Sequence, residues 1–294
     1  MKFVYFGTPD FSAHVLERLI DAGLPPVAVV TNPDRPVGRR KIVTAPAVKQ
    51  MIENYQLQTT NYKEIEILQP EKLDAEFIEK LKSFDADFFL VFAYNKIFRK
   101  NVLEIPRLGI VGIHPSFLPK YRGPSPFQTA LLNGETETGV TIYQLDEGVD
   151  SGAIIAESKS VVITGEDNFT TLAAKLADVG AELAIETLPR FLSGKITPRM
   201  QDESQATFTK KFKTEDGFIE PADLAAAVAG DAEKSAALDR KIRALNPEPG
   251  VWTMQNNKRV KLLEVKIENG KLQLTKIQED GQKVKSVKWN FKFS

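Results

Sequence analysis

Gly109-Ile-Val-Gly-Ile-His-Pro-Ser-Phe-Leu-Pro-Lys-Tyr-Arg-Gly123 begins as one kind of backbone and ends as another. The β-branched Ile110, Val111 and Ile113 predict a buried strand. Pro115 and Pro119 forbid its continuation. His114, one of two histidines in the chain, therefore sits where a strand stops and an irregular loop starts. In open α/β sheets that is where ligands bind.

The flanking chain supports such a sheet. Lys2 to Phe6 reads as a short apolar strand, followed by the turn Gly7-Thr8-Pro9-Asp10. Phe11, Val15, Leu16 and Leu19 recur at helical spacing, and 27–31 reads as a second strand. This β-loop-α-β opening is of the doubly wound type, without the GxGxxG of a dinucleotide site. Asn32 to Pro46 reads as a long polar loop carrying Arg35, Arg39, Arg40 and Lys41. Helices are expected over 47–55, 73–84 and 126–133, and the apolar run 87–93 suits a central parallel strand. The segments 139–145 and 153–156 read as strands. A long helix over 170–188 is expected, capped by Asp167 or Asn168, with Leu172, Leu176, Val179 and Leu183 inward. Pro189 should kink or end it.

Residues 192–213 are polar and irregular. Beyond them an alanine-rich stretch predicts one or two helices, and Asn246-Pro-Glu-Pro-Gly250 breaks them. Short alternating segments follow, with a hairpin signal at Asn269-Gly270. This predicts a small β-rich domain.

Composition bounds the chemistry. The chain has 294 residues, no cysteine and a net charge of zero. Thiolate nucleophiles, disulfides and cysteine metal sites are excluded, and two histidines 100 positions apart speak against a His-rich metal site. No metal is expected. No run approaches the roughly 20 apolar residues of a membrane span, and a cytoplasmic location is expected. Ten basic against four acidic residues from Gly250 onward give +6 there and −6 elsewhere. A basic end on an acidic body can attract a polyanion, although solvated lysines on strands explain the same count.

Two features can carry proton chemistry. His114 and Asp150 end neighbouring elements, a spacing that suits proton transfer and stabilisation of developing charge. The plainer reading is a hydrogen-bonded structural histidine beside a turn aspartate. His14 lies in an expected helix and reads as a packed or surface histidine. Trp252 and Trp289 read as core or edge aromatics.

HPSFLPKYRG (114–123) with DEGVDSG (146–152) resembles the signature of folate-dependent formyltransferases. Within that group the chain is most similar to the enzymes acting on methionyl-tRNA. FGTPDFS, TNPDRPVGRRK, ILQPEKL, VFAYNKIF, TALLNGETETGVTIYQLDEGVDSG and IRALNPEPGVWT all carry that likeness. It covers nearly the whole chain and fades over the last 20 residues or so. HPSFLPKYRG alone would also fit enzymes acting on glycinamide ribonucleotide or sugar nucleotides.

The resemblance implies an α/β fold. A Rossmann-like catalytic domain with a mostly parallel sheet would span 1–194, a linker 195–213, and an OB-like tRNA-binding domain 214–294. It implies formyl transfer from 10-formyltetrahydrofolate to the amine of methionyl initiator tRNA, for translation initiation, by a monomer with no membrane partner. His114 would stabilise the oxyanion, and Asp150 would orient His114 and assist proton removal. Ser116, Phe117, Leu118 and Pro119 match the folate-contacting segment. Arg39, Arg40 and Lys41 match the loop that enters the tRNA acceptor end, with Arg35 beside them.

One position departs. The family pattern is Asn-x-His, its amide donating to the formyl oxygen, and here Gly112 stands in that place. The family also usually has glycine after the tyrosine of VFAYNKIF, where this chain has Asn95. Asn95 is therefore a candidate replacement donor. An amino-sugar-nucleotide formyltransferase, or a tRNA-binding homologue with impaired catalysis, are the competing readings.

Overall fold

The computed structural model describes residues 1–38, 41–58 and 65–287. In chain order the strands are β1 (Phe3–Gly7), β2 (Ala28–Val30), β3 (Arg35–Val37), β4 (Ile42–Thr44), β5 (Glu66–Leu68), β6 (Phe88–Phe92), β7 (Ile110–His114), β8 (Glu137–Thr138), β9 (Thr141–Gln144), β10 (Ile154–Glu157), β11 (Val161–Val162), β12 (Trp252–Gln255), β13 (Lys258–Glu268), β14 (Lys271–Glu279) and β15 (Lys285–Ser286). The α-helices are α1 (Asp10–Asp21), α2 (Ala47–Gln58), α3 (Ala75–Ser83), α4 (Lys100–Leu103), α5 (Pro126–Asn133), α6 (Phe169–Leu192), α7 (Pro221–Ala229) and α8 (Ala232–Leu245).

The chain divides into two compact units. The first contains 1–123, 139–161 and 174–208, and is built on a seven-stranded sheet of order β10-β9-β7-β6-β1-β2-β5. β7, β6, β1, β2 and β5 run parallel. β9 and β10 turn antiparallel at one edge. The apolar runs of β1, β6 and β7 are buried at every residue, as strands covered on both faces must be. Aromatic pairs cross these strands: Phe3 stacks on Phe88 at 5.2 Å and Phe6 meets Phe89 at 5.3 Å. Such pairs add to area burial by roughly 0.5–1.5 kcal/mol each. The parallel sheet with a reversed edge matches the α/β reading of the sequence.

Several local expectations change. The polar loop 32–46 contains an antiparallel ribbon, β3 paired with β4. Its strands have three residues each and are fully exposed, so no buried face imposes a period on the sequence. The expected role of Arg39 and Arg40 falls on residues outside those described. α6 begins as expected, with Asn168 Oδ1 accepting from the Thr170 and Thr171 amides at 2.9 and 3.1 Å. It runs past Pro189 to Leu192, since a proline in the last turn costs few intrahelical bonds. Leu172 and Leu176 are fully buried, as expected, and small residues share the buried face. Ala177, Gly180, Ala181 and Ala184 are buried, while Val179 and Leu183 are only partly so. A Cβ on Gly180 would lie 3.2 Å from Ile113, so this helix approaches β7 closely enough to require small residues.

The second unit contains 124–138, 162–173 and 209–294. Its sheet is antiparallel, β12-β13-β14-β15. Asn269 and Gly270 turn the β13–β14 hairpin with φ of 52° and 75°, the left-handed pair that a tight two-residue turn needs. Trp252 packs at 4.7 Å from Phe218 and under the Arg259 guanidinium at 4.2 Å, with its indole N–H donating to Thr214 O. It is an anchored edge aromatic, as expected. Trp289 lies outside the described residues.

Candidate active site

β7 carries His114 to the carboxyl end of the parallel strands, 5% exposed. Thr141, its register partner on β9, fixes the loop that follows. Thr141 Oγ1 donates to Ser116 O at 2.7 Å and accepts from Leu118 N at 3.1 Å. The backbone after His114 is therefore held from the neighbouring strand.

His114 Nε2 lies 2.9 Å from the carbonyl of Tyr121. A carbonyl only accepts, so Nε2 carries a hydrogen. Nδ1 then faces Asp150 Oδ2 at 3.6 Å. That is beyond hydrogen-bond reach, so the carboxylate acts on the ring by charge, or through one intervening water. Asp150 itself is tightly held. Oδ2 accepts from Gly123 N at 2.7 Å, and Oδ1 accepts from the Tyr143 hydroxyl. Burial, then the Asp150 charge, push the Tyr143 phenol well above its ordinary range, so it stays protonated and donates.

Asp150 sits at φ 49°, a left-handed turn that aspartate tolerates better than most residues. Gln201 pins that turn by donating from Nε2 to Asp150 O at 2.8 Å and Gly152 O at 2.7 Å. Arg122, 2% exposed, donates in turn to Gln201 Oε1 at 3.1 and 2.8 Å and to the Glu203 carboxylate at 2.9 and 2.6 Å. Glu203 holds the guanidinium pKa up, and Arg122 holds that of Glu203 down. Because the Glu203 side chain is 68% exposed, Coulomb attraction is a small part of this contact. Burial of the arginine stem and four donated hydrogen bonds are the larger part. Gly152 lets the loop close: a Cβ there would lie 1.7 Å from Gln144 O.

The sequence reading placed His114 and Asp150 near each other but did not single out Arg122, Gln201, Glu203 or Tyr143. Arg122 lies inside the quoted signature, so the signal for it was present. Gln201 and Glu203 had none: they lie in a polar stretch, 79 and 81 residues from Arg122.

Of the segment after His114, Ser116 and Leu118 turn inward, 1% and 3% exposed, while Phe117 and Pro119 are partly exposed. Ser116 Oγ donates to Lys120 O at 2.6 Å. At Gly112 the space of a side chain is taken: a Cβ would lie 2.5 Å from the Tyr143 ring and 2.7 Å from Leu145. Asn95 is exposed on the loop after β6, and its Oδ1 accepts from Asn32 Nδ2 at 3.1 Å. Arg35 pairs with Glu71, and Lys41 is exposed at φ 49°. The foot of the β3–β4 ribbon is pinned where Asp34 accepts from Lys49 at 2.9 Å and from Gln69 at 2.7 Å. Those partners, Gln69 first, hold the Asp34 carboxyl below its usual range.

His14 pairs with Asp178 at 2.7 Å on the surface, 39% exposed, and takes no part in this site. No group of three or more metal-ligating side chains occurs among the described residues. No described helix is long and apolar enough to cross a membrane.

Residues 1–188 match the formyl transferase family, and residues 232–290 match the formyl transferase C-terminal domain. A methionyl-tRNA formyltransferase of Halorhodospira halophila is 39% identical over 249 residues, 85% of this chain and 74% of the relative. The structure of the Clostridium thermocellum methionyl-tRNA formyltransferase superposes with a TM-score of 0.60 at 18% identity, covering 95% of this chain and 98% of that one. An N-formyltransferase of Helicobacter canadensis, solved with folinic acid and dTDP-3-aminofucose, gives 0.61 at 19% identity over 91% and 89% of the two chains. At these identities the two structures speak for the fold.

Proposed function

Because this chain belongs to the formyl transferase family, and within it to the methionyl-tRNA formyltransferases, we propose that it carries the formyl group of 10-formyltetrahydrofolate to the amine of methionyl initiator tRNA. The observation that carries the reading to named residues is the His114–Asp150 pair at 3.6 Å at the carboxyl end of β7. The protein acts in the cytoplasm, in translation initiation.

The methionyl amine nitrogen attacks the formyl carbon, and the carbonyl electrons move to oxygen. His114 stabilises that oxyanion as a hydrogen-bond donor. Asp150, its charge facing the ring, orients His114 and takes up the amine proton through water. The oxyanion then collapses, the bond from carbon to N10 breaks, and N10 takes the proton that Asp150 returns through the same water. Formyl-methionyl-tRNA and tetrahydrofolate leave.

Ser116 and Leu118, turned inward and tied to Thr141, give the folate-contacting segment its shape. Phe117 and Pro119 offer side-chain surface. Asn95 is the proposed second donor to the formyl oxygen. Asn95→Gly is expected to lower kcat about tenfold, a modest share of the loss for one oxyanion donor; unchanged turnover removes Asn95 from the site.

Arg39, Arg40 and Lys41, with Arg35, take the phosphates of the acceptor end. Arg39→Ala with Arg40→Ala is expected to raise KM for methionyl-tRNA about tenfold while kcat holds, since phosphate contacts add affinity and salt dependence rather than chemistry. An amino-sugar nucleotide offered in parallel separates the acceptors. Equal activity of wild type and variant, with product on the sugar alone, would overturn the tRNA reading.

A further inference from the structure

We propose that Gly112 and Tyr143 work as one unit, in which the tyrosine takes the space of a side chain at 112 and uses its hydroxyl to position Asp150. The inference rests on the formyl-transfer reading of the same site and adds a positioning residue to it.

Three observations converge. First, Gly112 and Tyr143 are register partners on adjacent antiparallel strands, so their side-chain directions share one face of the sheet. A Cβ built on Gly112 would meet Tyr143 Cε1 at 2.5 Å and Cζ at 2.8 Å. Both strands lie in a close-packed sheet interior, and neither can retreat by the ångström that a side chain would need. Leu145 Cδ1, at 2.7 Å from the same Cβ, is the end of a flexible side chain and can turn aside, whereas the ring cannot. The glycine is thus demanded by the ring, and no side chain larger than hydrogen fits at 112 while Tyr143 keeps its place.

Second, the ring is wedged from its other sides. Leu118, Ile154 and Leu145 pack around it, and the His114 imidazole meets it edge-on at 6.2 Å. Leu118 belongs to the segment that follows His114, so the ring also braces the loop assigned to the folate. Its orientation is set by packing.

Third, the hydroxyl ends on the reacting pair. It donates to Asp150 Oδ1, while Gly123 N donates to Oδ2 at 2.7 Å. The two donors fix the carboxylate plane, and with it the edge that faces His114 Nδ1. Tyr143 touches neither reacting atom in this arrangement. It acts through Asp150.

A chain with an amide at 112 would have a donor there and no room for this ring. This chain has the ring and no room for the amide. Restoring asparagine at 112 alone should therefore damage the enzyme, and removing the ring at the same time should repair it.

The test is a double-mutant cycle with two readouts, formyl transfer and urea unfolding. Tyr143→Phe keeps the ring and removes the hydroxyl. It is expected to lower kcat about tenfold with KM for both substrates within twofold, and to keep the urea midpoint near wild type. Wild-type kcat in Tyr143→Phe would overturn the positioning role. Gly112→Asn is expected to lower kcat at least 100-fold and to lower the urea midpoint. Gly112→Asn with Tyr143→Ala is expected to exceed Gly112→Asn alone in both. A double variant no better than Gly112→Asn in either readout would overturn the unit. If wild type transferred no formyl group, the functional reading would fall, while the urea midpoints would still decide whether residues 112 and 143 exclude each other.

Discussion

His114→Ala is expected to lower kcat by about 10²–10³, the usual cost of one preorganised oxyanion donor, or roughly 3–4 kcal/mol. The substitution also has a structural cost. His114 is buried, and its Nε2–H is the partner of the Tyr121 carbonyl. Losing one part-buried hydrogen bond costs about 0.5–1.5 kcal/mol of stability. The two effects are separable. Stability loss moves the unfolding midpoint and leaves the turnover of folded molecules intact. The catalytic account requires kcat per folded molecule to fall, with KM for folate and tRNA nearly constant. A variant that is less stable but turns over at the wild-type rate would make His114 a structural histidine only.

Asp150→Asn is expected to cost a further comparable factor, about 10²–10⁴ in kcat, the range for a general acid–base group. The change is isosteric, yet two things fail at once. The negative charge 3.6 Å from His114 Nδ1 disappears. The amide NH2 cannot accept, while Asp150 now receives hydrogen bonds on both oxygens, from Gly123 N and from Tyr143. One of those donors is left facing another donor. Steady-state kinetics beside the unfolding midpoint again reads the difference. A loss confined to KM would show that Asp150 binds substrate and takes no part in proton transfer.

Which parts of this arrangement were legible in the sequence follows from how local each signal is. β7 and α5 occupy 110–114 and 126–133, where β-branched residues followed by proline, and a run closed by Gly134, predict them. The parallel core was legible because strands buried on both faces read as apolar runs. The ribbon β3–β4 and the three-residue β5 were not, since a strand so short or so exposed imposes no period. His114 and Asp150 could be named from position and resemblance. The device that holds them could not. Gln201 reaches Asp150 across 51 residues, and Arg122 reaches Gln201 across 79. A polar stretch reads as a connection until its partners are seen.

Gly112 shows the same limit from the other side. In the sequence it is a missing amide. Only the register that sets it opposite Tyr143 shows what occupies the space. On the proposed pairing the glycine follows from the tyrosine, and the proposed donors to the formyl oxygen are His114 and Asn95.

The most direct measurement incubates the wild-type protein with 10-formyltetrahydrofolate and methionyl initiator tRNA, with His114→Ala and Asp150→Asn in parallel, and quantifies formyl-methionine over many turnovers. The predicted result is sustained turnover by wild type and a loss of about 10² or more in each variant. Absence of formyl-methionine with the folded wild-type protein, or equal turnover by all three, would contradict the account.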